Sequence, residues 1–306
     1  MNETKIDIER INELADENPY KLVEEAEKKY TNQLREIANE ISVRGQRIVL
    51  ISGPSSSGKT TSSFRLREEL KKLGIGSHTL NMDQFFLDMD TLPLREDGKP
   101  DIEDICALDV DTVRRCFKEI LQTGKTKTPQ FDFATHKRKK EWVECSLKGH
   151  EIIIMEGIHA LNPKIVEGLE VDKIFRIYLC CDENFVCGRK TIFYPRQLRL
   201  LRRISRDERE RHCPIGDTID MWEEVCRGED KNITPFKKTA DYVLNTIHAY
   251  EPLLYKQILL DKFQKLGHIG QVAVYLEKFK YCSTIDPNIL PKNSLIREFV
   301  GGLKLD

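Results

Sequence analysis

The chain has 306 residues, of which 40% are hydrophobic and 32% are charged, and its formal net charge is −1. This composition is typical of a globular protein with one large α/β domain and some appendages. The near-neutral charge gives no electrostatic reason to expect nucleic acid or a membrane surface as a partner. We also expect neither a secretory leader nor a membrane span, because no segment has the required apolar pattern.

The nine cysteines are scattered along the chain without a C-x-x-C pair. An odd number of cysteines with this spacing argues against a disulfide framework and against a zinc site. We therefore expect reduced, mostly buried thiols, as in a cytoplasmic protein. The sequence leaves the oligomeric state open, including a homo-oligomer.

Residues 1–45 predict a helical arm. A first apolar segment ends at a break at Asn18 and Pro19, and a longer amphipathic stretch follows. We expect the arm to pack on the core or on a second subunit, without a chemical role. The apolar stripe of the longer stretch consists of Leu22, Ala26, Tyr30, Leu34, Ile37 and Ile41.

A glycine-rich loop follows a short apolar strand at residues 47–51. The loop fits the pattern G-x-x-x-x-G-K-[ST], in which backbone N–H groups and the positive end of the next helix hold phosphate. An amphipathic helix follows, so the order of strand, loop and helix is the one that this motif requires. We expect Lys59 to reach the β- and γ-phosphates of ATP and the Thr60 hydroxyl to ligate Mg²⁺. The loop reads Gly53-Pro54-Ser55-Ser56-Ser57-Gly58-Lys59-Thr60.

Acidic residues follow two further predicted strands. Asp83 follows a strand at 78–82, and Glu156 follows the most apolar strand, at 151–155. Ligands of open α/β sheets bind at the carboxyl ends of strands, and in P-loop proteins a carboxylate there commonly handles Mg²⁺ or its bound water. By position alone, Asp83 equally fits a helix or turn cap.

The segments between these strands carry weaker signals. Residues 89–104 are rich in Asp, Pro and Gly, which predicts an ordered surface loop. A helix is predicted from about residue 109 to Gly124. The basic run at 137–140, taken alone, is expected to be a solvated turn between strands. Further strands at 173–179 and 242–244 complete the alternation of strands and helices, which predicts an α/β fold with a parallel sheet and helices on both faces.

Residues 196–211 predict a helix that carries seven arginines beside an apolar edge. Like charges at this density repel one another unless carboxylates or anions neutralise them. One interpretation is a salt-bridged surface helix, since nearby acidic residues offset part of the charge. The other is a lid near residues 196–216 whose arginines close on phosphoryl oxygens.

These motifs, in this order, resemble those of the phosphoribulokinase/uridine kinase family. The resemblance covers roughly residues 46–245. Stretches at 227–233 and 291–299 look most like those of a bacterial uridine-kinase-like branch of nucleoside kinases. The motifs that carry the resemblance are the P-loop, Asp83-Gln84-Phe85-Phe86, Phe131-Asp132-Phe133-Ala134-Thr135-His136, Glu156-Gly157 and the arginine-rich stretch 202–211.

The resemblance implies a P-loop NTPase-type fold, a cytoplasmic ATP- and Mg²⁺-dependent kinase, and a role for each matching residue. Asp83 matches the aspartate that takes the proton from the acceptor hydroxyl, and Glu103 falls near the family's ribose-binding aspartate. Phe131 and His136 match the residues that contact the base. The resemblance assigns Lys59, Arg206 and Arg211 to catalysis and Arg203 to acceptor binding. It assigns the loop from Gly53 through Thr61 to ATP binding, and Thr60 and Glu156 to the metal.

The chain also departs from the family pattern around the acceptor. Phe86 and Phe131 stand where tyrosines are usual, and His212-Cys213 replaces a Gly-Arg pair. Three hypotheses stay open for the acceptor: a pyrimidine nucleoside, another polyol or sugar phosphate, or no small acceptor in a nucleotide-gated regulatory protein. The resemblance divides the chain into the arm at 1–45, a kinase domain at 46–250 and a helical C-terminal extension at 251–306 with no chemistry of its own.

Overall fold

The structure, a computed structural model, describes residues 5–92, 98, 100–101 and 103–305. The predicted loop at 89–104 therefore lies partly outside the described residues. The helices are α1 (Ile8–Glu17), α2 (Pro19–Arg44), α3 (Lys59–Lys72), α4 (Val110–Thr123), α5 (Pro163–Val166), α6 (Pro195–Glu210), α7 (Ile215–Asp220), α8 (Trp222–Asn232), α9 (Glu251–Lys265), α10 (Gly270–Phe279) and α11 (Arg297–Val300). The strands are β1 (Lys5–Asp7), β2 (Ile48–Ser52), β3 (Ser77–Asn81), β4 (Lys125–Thr128), β5 (Phe131–Asp132), β6 (Lys137–Arg138), β7 (Val143–Ser146), β8 (Ile152–Glu156), β9 (Ile174–Cys180), β10 (Asn184–Cys187), β11 (Lys190–Phe193) and β12 (Tyr242–Asn245).

A five-stranded sheet, parallel throughout, forms the centre of the molecule, with strand order β12-β9-β2-β8-β3. Successive side chains of a strand point to opposite faces. In β2, Val49 and Ile51 therefore join one core cluster, while Ile48 and Leu50 join the other. Helices α2, α3, α6 and α9 contribute to the first cluster and α4 and α5 to the second. The α/β fold with helices on both faces of a parallel sheet is confirmed.

The N-terminal arm packs on the core of the same chain. The helix break at Asn18 occurs where predicted, with the Asn18 side chain accepting from Lys21 N at 3.0 Å as the cap of α2. All six residues of the predicted apolar stripe are buried. The expectation of helix alone is wrong at the start of the arm, because β1 pairs with β10 in a small sheet that also contains β11. Within the described residues, no helix is both long enough and apolar enough to cross a bilayer.

Two short hairpins flank the sheet and correct the interpretation of the basic run. Strand β4 pairs with β7, and β5 pairs with β6. Lys137 and Arg138 form β6 and are not part of a turn. Arg138 is half-buried, donates to Asp109 Oδ2 at 2.8 Å and also donates to the carbonyls of Phe85 and Phe86. This arginine therefore stabilises the fold locally and is not a free surface charge.

The C-terminal extension begins with the predicted helices, α9 and α10, and then changes character. Residues 281–296 have no α-helix, and the chain returns along α6 to the glycine-rich loop. There Leu295 packs on Gly58, and Glu298 accepts a hydrogen bond from the backbone N–H of Thr61. The expectation that this extension has no chemistry is therefore corrected, because it reaches the phosphate-binding loop.

Candidate active site

The glycine-rich loop connects β2 to α3 at the carboxyl edge of the sheet. Two of its glycines are required by close contacts. A Cβ on Gly53 would lie 2.6 Å from the Leu179 carbonyl oxygen. Gly58 has a φ of +85°, and a Cβ there would lie 2.6 Å from Leu295 Cδ1. The loop is thus wrapped closely over its neighbours and leaves its backbone N–H groups at the positive end of α3.

Lys59 lies at the end of this loop, as the first residue of α3. Its ammonium donates to the carbonyl oxygens of Gly53 at 2.9 Å and Pro54 at 3.3 Å. Burial lowers the pKa of Lys59, while the neighbouring carboxylates of Glu156, Asp83 and Glu298 oppose this shift. The lysine therefore faces a cluster of acidic groups at the bottom of a cavity of about 610 Å³.

The Thr60 hydroxyl and the Glu156 carboxylate form one side of this cavity. Thr60 Oγ1 donates to Glu156 Oε1 at 3.2 Å. Burial raises the pKa of Glu156, with Lys59 acting in the opposite direction. Among the described residues, no group of three or more His, Cys, Asp and Glu side chains could hold a metal. These two oxygen donors do fit Mg²⁺, which commonly binds through one or two protein oxygens together with waters and substrate phosphates.

Asp83 and Glu103 also line this cavity. Asp83 lies in the turn Met82–Phe85, directly after β3, and its N–H donates to Asn81 Oδ1 at 2.7 Å. Burial raises the pKa of Asp83 and the pKa of Glu103, in both cases against the positive charge of Lys59. Asp83 thus lies where its position after a strand predicted, at the same sheet edge as the loop and Glu156, because β2, β8 and β3 are adjacent in the sheet.

The aromatic wall of the cavity differs in part from the prediction. His136, which has a φ of +57°, lines the cavity together with Phe86 and Phe133. Phe131 is buried behind them and packs edge-on against both phenyl rings, with centroids 5.8 and 5.3 Å away. Phe131 therefore supports this wall, and Phe133 rather than Phe131 lines the cavity.

Five of the seven arginines at 196–211 fall into two groups. We call Arg199 and Arg202 the inner arginines, because both are buried beneath the loop. Arg199 Nη1 donates to Ser55 O at 3.0 Å, and Arg202 Nη1 donates to Ser56 O at 3.2 Å. Each also binds its own buried carboxylate, Glu229 or Glu251. These two arginines fix the backbone of the loop from below.

The outer arginines, Arg203, Arg206 and Arg211, line the cavity. They share one buried carboxylate, Asp207, at 3.2, 2.8 and 3.4 Å. Arg203 Nη1 also donates to Ser55 Oγ at 2.8 Å. Ile204 and Asp207 are both buried, so α6 packs against the core as far as Asp207. The interpretation as a salt-bridged surface helix is wrong, because the helix faces the cavity and the core.

Two further groups at this site were not anticipated from the sequence. One is the inner pair of arginines, whose role as supports of the loop has no local signal. The other is Glu298, which lines the cavity from the C-terminal extension. The cations at 137–140, in contrast, do not line the cavity.

The loop, sheet edge and arginines define a P-loop kinase site, and comparison with known proteins agrees. Residues 48–251 match the Phosphoribulokinase / Uridine kinase family, and the chain belongs to this family. It is a kinase of the uridine kinase/phosphoribulokinase type, a class of enzymes that use ATP, generally with Mg²⁺.

Individual relatives are more distant. A uridine kinase of Staphylococcus aureus (strain JH9) is 29% identical over 198 residues, which is 64% of this chain and 86% of the relative. A solved structure described as a possible uridine kinase from Bacillus stearothermophilus is 17% identical, with a TM-score of 0.46, over 70% of this chain and 98% of the other. The phosphoribulokinase from Rhodobacter spheroides is 15% identical, with a TM-score of 0.44, over 67% of this chain and 73% of the other.

Proposed function

We propose that this kinase transfers the γ-phosphoryl group of ATP to the 5′-hydroxyl of a pyrimidine ribonucleoside. One observation carries the proposal: Lys59, Asp83 and His136 line the same cavity. A phosphate-binding lysine, a general base for the acceptor hydroxyl and a hydrogen-bonding group for a nucleobase are therefore contiguous. A molecule that bridges these groups has a hydroxyl near the phosphate and a polar, flat end beside His136 and the phenyl rings.

In this proposal the protein positions the reactants and stabilises charge. Phosphoryl transfer needs an in-line hydroxyl, neutralised equatorial oxygens and little water. Lys59, Arg206 and Arg211 supply positive charge, and the loop from Gly53 to Thr61 holds the phosphates. When bound at Thr60 and Glu156, Mg²⁺ would neutralise the β- and γ-phosphate oxygens.

Asp83 orients the acceptor hydroxyl and takes its proton. Burial raises the pKa of Asp83 from the usual carboxyl range, which makes its conjugate base stronger than that of an exposed aspartate. On the acceptor side, Glu103 and Arg203 are candidates for binding the ribose hydroxyls. His136 hydrogen-bonds the edge of the base, Phe133 packs beside it, and Phe131 keeps this wall in place.

A sugar-phosphate acceptor has less support. Such an acceptor needs cations for its own phosphate, and the basic run at 137–140, beside His136, is the group in the sequence that would supply them. None of its four side chains lines the cavity, and Lys137 is engaged by Asp90 at 3.1 Å. A neutral acceptor fits this arrangement better, since Arg206 and Arg211 are needed for the phosphates of ATP and Arg203 for the ribose hydroxyls.

The test is ADP release from MgATP against a panel of nucleosides, sugars and sugar phosphates, with a uridine or cytidine signal expected to be the largest. Asp83→Asn should reduce turnover on the best acceptor by about 10²–10⁴ while ATP binding persists. Lys59→Ala should reduce turnover by about 10²–10³. A sugar phosphate as the best acceptor would overturn the proposal, as would normal turnover in a well-folded Asp83→Asn protein.

A further inference from the structure

The C-terminal extension ends in a segment, residues 294–301, that is built firmly against the phosphate-binding loop. Ser294, Leu295 and Phe299 are fully buried. The Ser294 hydroxyl lies 3.3 Å from the hydroxyl of Tyr250, and Arg209 donates to the carbonyl of Glu298 at 3.2 Å. Because both ends of the segment are held, the position of the Glu298 side chain follows from the fold.

The Glu298 carboxylate binds the positive end of α3. Its Oε2 accepts from the backbone N–H of Thr61 at 3.2 Å and from the Thr61 hydroxyl at 2.5 Å. Thr61 is the third residue of α3, so its N–H is one of the amides that lack a partner within the helix. In a P-loop, these amides and the loop amides before them are the donors for phosphate.

The ammonium of Lys59 also has partners within the protein. The Lys59 ammonium donates to two carbonyl oxygens of its own loop. Glu298 lines the same cavity as Lys59 and Thr60. A triphosphate and the Glu298 carboxylate are both negative, so they would repel each other if both lay at the N-terminus of α3.

We propose that Glu298 is an internal anion that occupies part of the phosphate site, and that ATP must displace its carboxylate from Thr61 to bind. The C-terminal segment would then set the affinity of the P-loop for nucleotide and act as an autoinhibitory contact. This inference rests on the proposed binding of ATP at the P-loop, but it concerns a residue outside the segment that matches the family.

The test is a calorimetric titration of the full chain with a non-hydrolysable ATP analogue and Mg²⁺. Glu298→Gln removes the charge and keeps the shape, so the dissociation constant of the analogue should fall by about tenfold or more, the scale of one hydrogen bond to a charged group. Glu298→Ala, which removes both acceptors, should bind at least as tightly as Glu298→Gln. Glu277→Gln, an exposed carboxylate on α10 that pairs with Lys280, is the matched control and should leave the affinity unchanged.

The outcomes separate this inference from the proposed function. Unchanged or weaker binding in both Glu298 variants would overturn the inference, because weaker binding would mean that Glu298 assists the nucleotide or its metal. Lys59→Ala serves as the reference for the P-loop and should weaken binding of the analogue. If Lys59→Ala binds as well as the unmodified protein, ATP does not use this loop and the proposed function itself fails. Melting temperatures of the variants without nucleotide show that each is folded.

Discussion

The inner and outer arginines lie on one helical region and differ in what neutralises them. Arg202 is completely buried, and its guanidinium donates to both oxygens of Glu251 at 2.7 Å, to Thr246 and to the carbonyl of Ser56. Arg199 has Glu229 at 2.7 Å. Each inner arginine thus binds a different buried carboxylate at 2.7 Å and also donates to a carbonyl oxygen of the loop. Arg196 lies 3.7 Å from Glu229 as well.

The outer arginines have fewer carboxylates for each positive charge, because three guanidinium groups share Asp207. Three positive charges with one carboxylate between them therefore line one part of the cavity, and a kinase must stabilise negative charge on the transferring phosphoryl group. Residue type and helix position alone would assign the same role to all five. The count of carboxylates within reach separates structural arginines from those that are available to a ligand.

The largest expected effect is a loss of stability when an inner arginine is removed. Arg202→Ala should lower the free energy of unfolding by about 3–5 kcal/mol, because it leaves the carboxylate of Glu251 buried without a partner. Urea denaturation followed by circular dichroism measures this change. The double variant Arg202→Met with Glu251→Met removes both charges, so it should recover a large part of the loss. A double variant as unstable as the single one would mean that Arg202 does not act through this pair.

The next largest effect is a loss of turnover when an outer arginine is removed. Arg206→Ala should reduce kcat by about 10²–10³, the usual cost of removing one donor that stabilises the transition state. The free energy of unfolding should change by less than about 1 kcal/mol, since Asp207 keeps two other arginines. Arg115→Ala, which removes a surface arginine paired with Glu119, is the matched control and should alter neither quantity. A stability loss as large as that of Arg202→Ala would erase the distinction between the two groups.

The sequence was sufficient for features that depend on local patterns. Spacing within about twenty residues predicts the strand, glycine-rich loop and helix around Lys59. It also predicts the acidic residues at the carboxyl ends of β3 and β8 and the apolar stripe of α2. Parallel strands bring their carboxyl ends to one edge, so the juxtaposition of Lys59, Asp83 and Glu156 could also be anticipated. These predictions required no knowledge of which segments pack together later.

The remaining features depend on contacts between distant parts of the chain. Glu298 and Thr61 are 237 residues apart, and no local pattern links them. Strand β1 has only three residues, and its pairing with β10 is decided by tertiary packing. Phe131 and Phe133 could not be told apart, because β5 ends at Asp132 and the turn that follows changes the direction of the next side chain. The roles of Arg199 and Arg202 likewise required the position of the loop above them.

The smallest expected effect comes from cations that lie outside both groups. Lys137, Lys139 and Lys140 carry charge near the acceptor end but do not line the cavity. Replacing all three with Gln should change the acceptor KM by less than about twofold, because a neutral nucleoside offers them no anion. Arg138 stays in place in this variant, since its ion pair with Asp109 and its bonds to backbone carbonyls resemble those of an inner arginine.

His136→Ala provides the contrast for that variant. If His136 binds the edge of a nucleobase, its loss should raise the acceptor KM by about 5- to 150-fold, equivalent to about 1–3 kcal/mol for a polar group left unpaired, with a smaller effect on kcat. Both variants are assayed on the best acceptor from the panel, with KM for ATP measured in parallel. A large rise in the acceptor KM of the lysine variant beside an unaffected His136→Ala would mean that the acceptor carries its own phosphate. These lysines would then bind ligand although they lie outside the cavity. The count of carboxylates within reach, which separates the inner from the outer arginines, would not identify ligand-binding cations there.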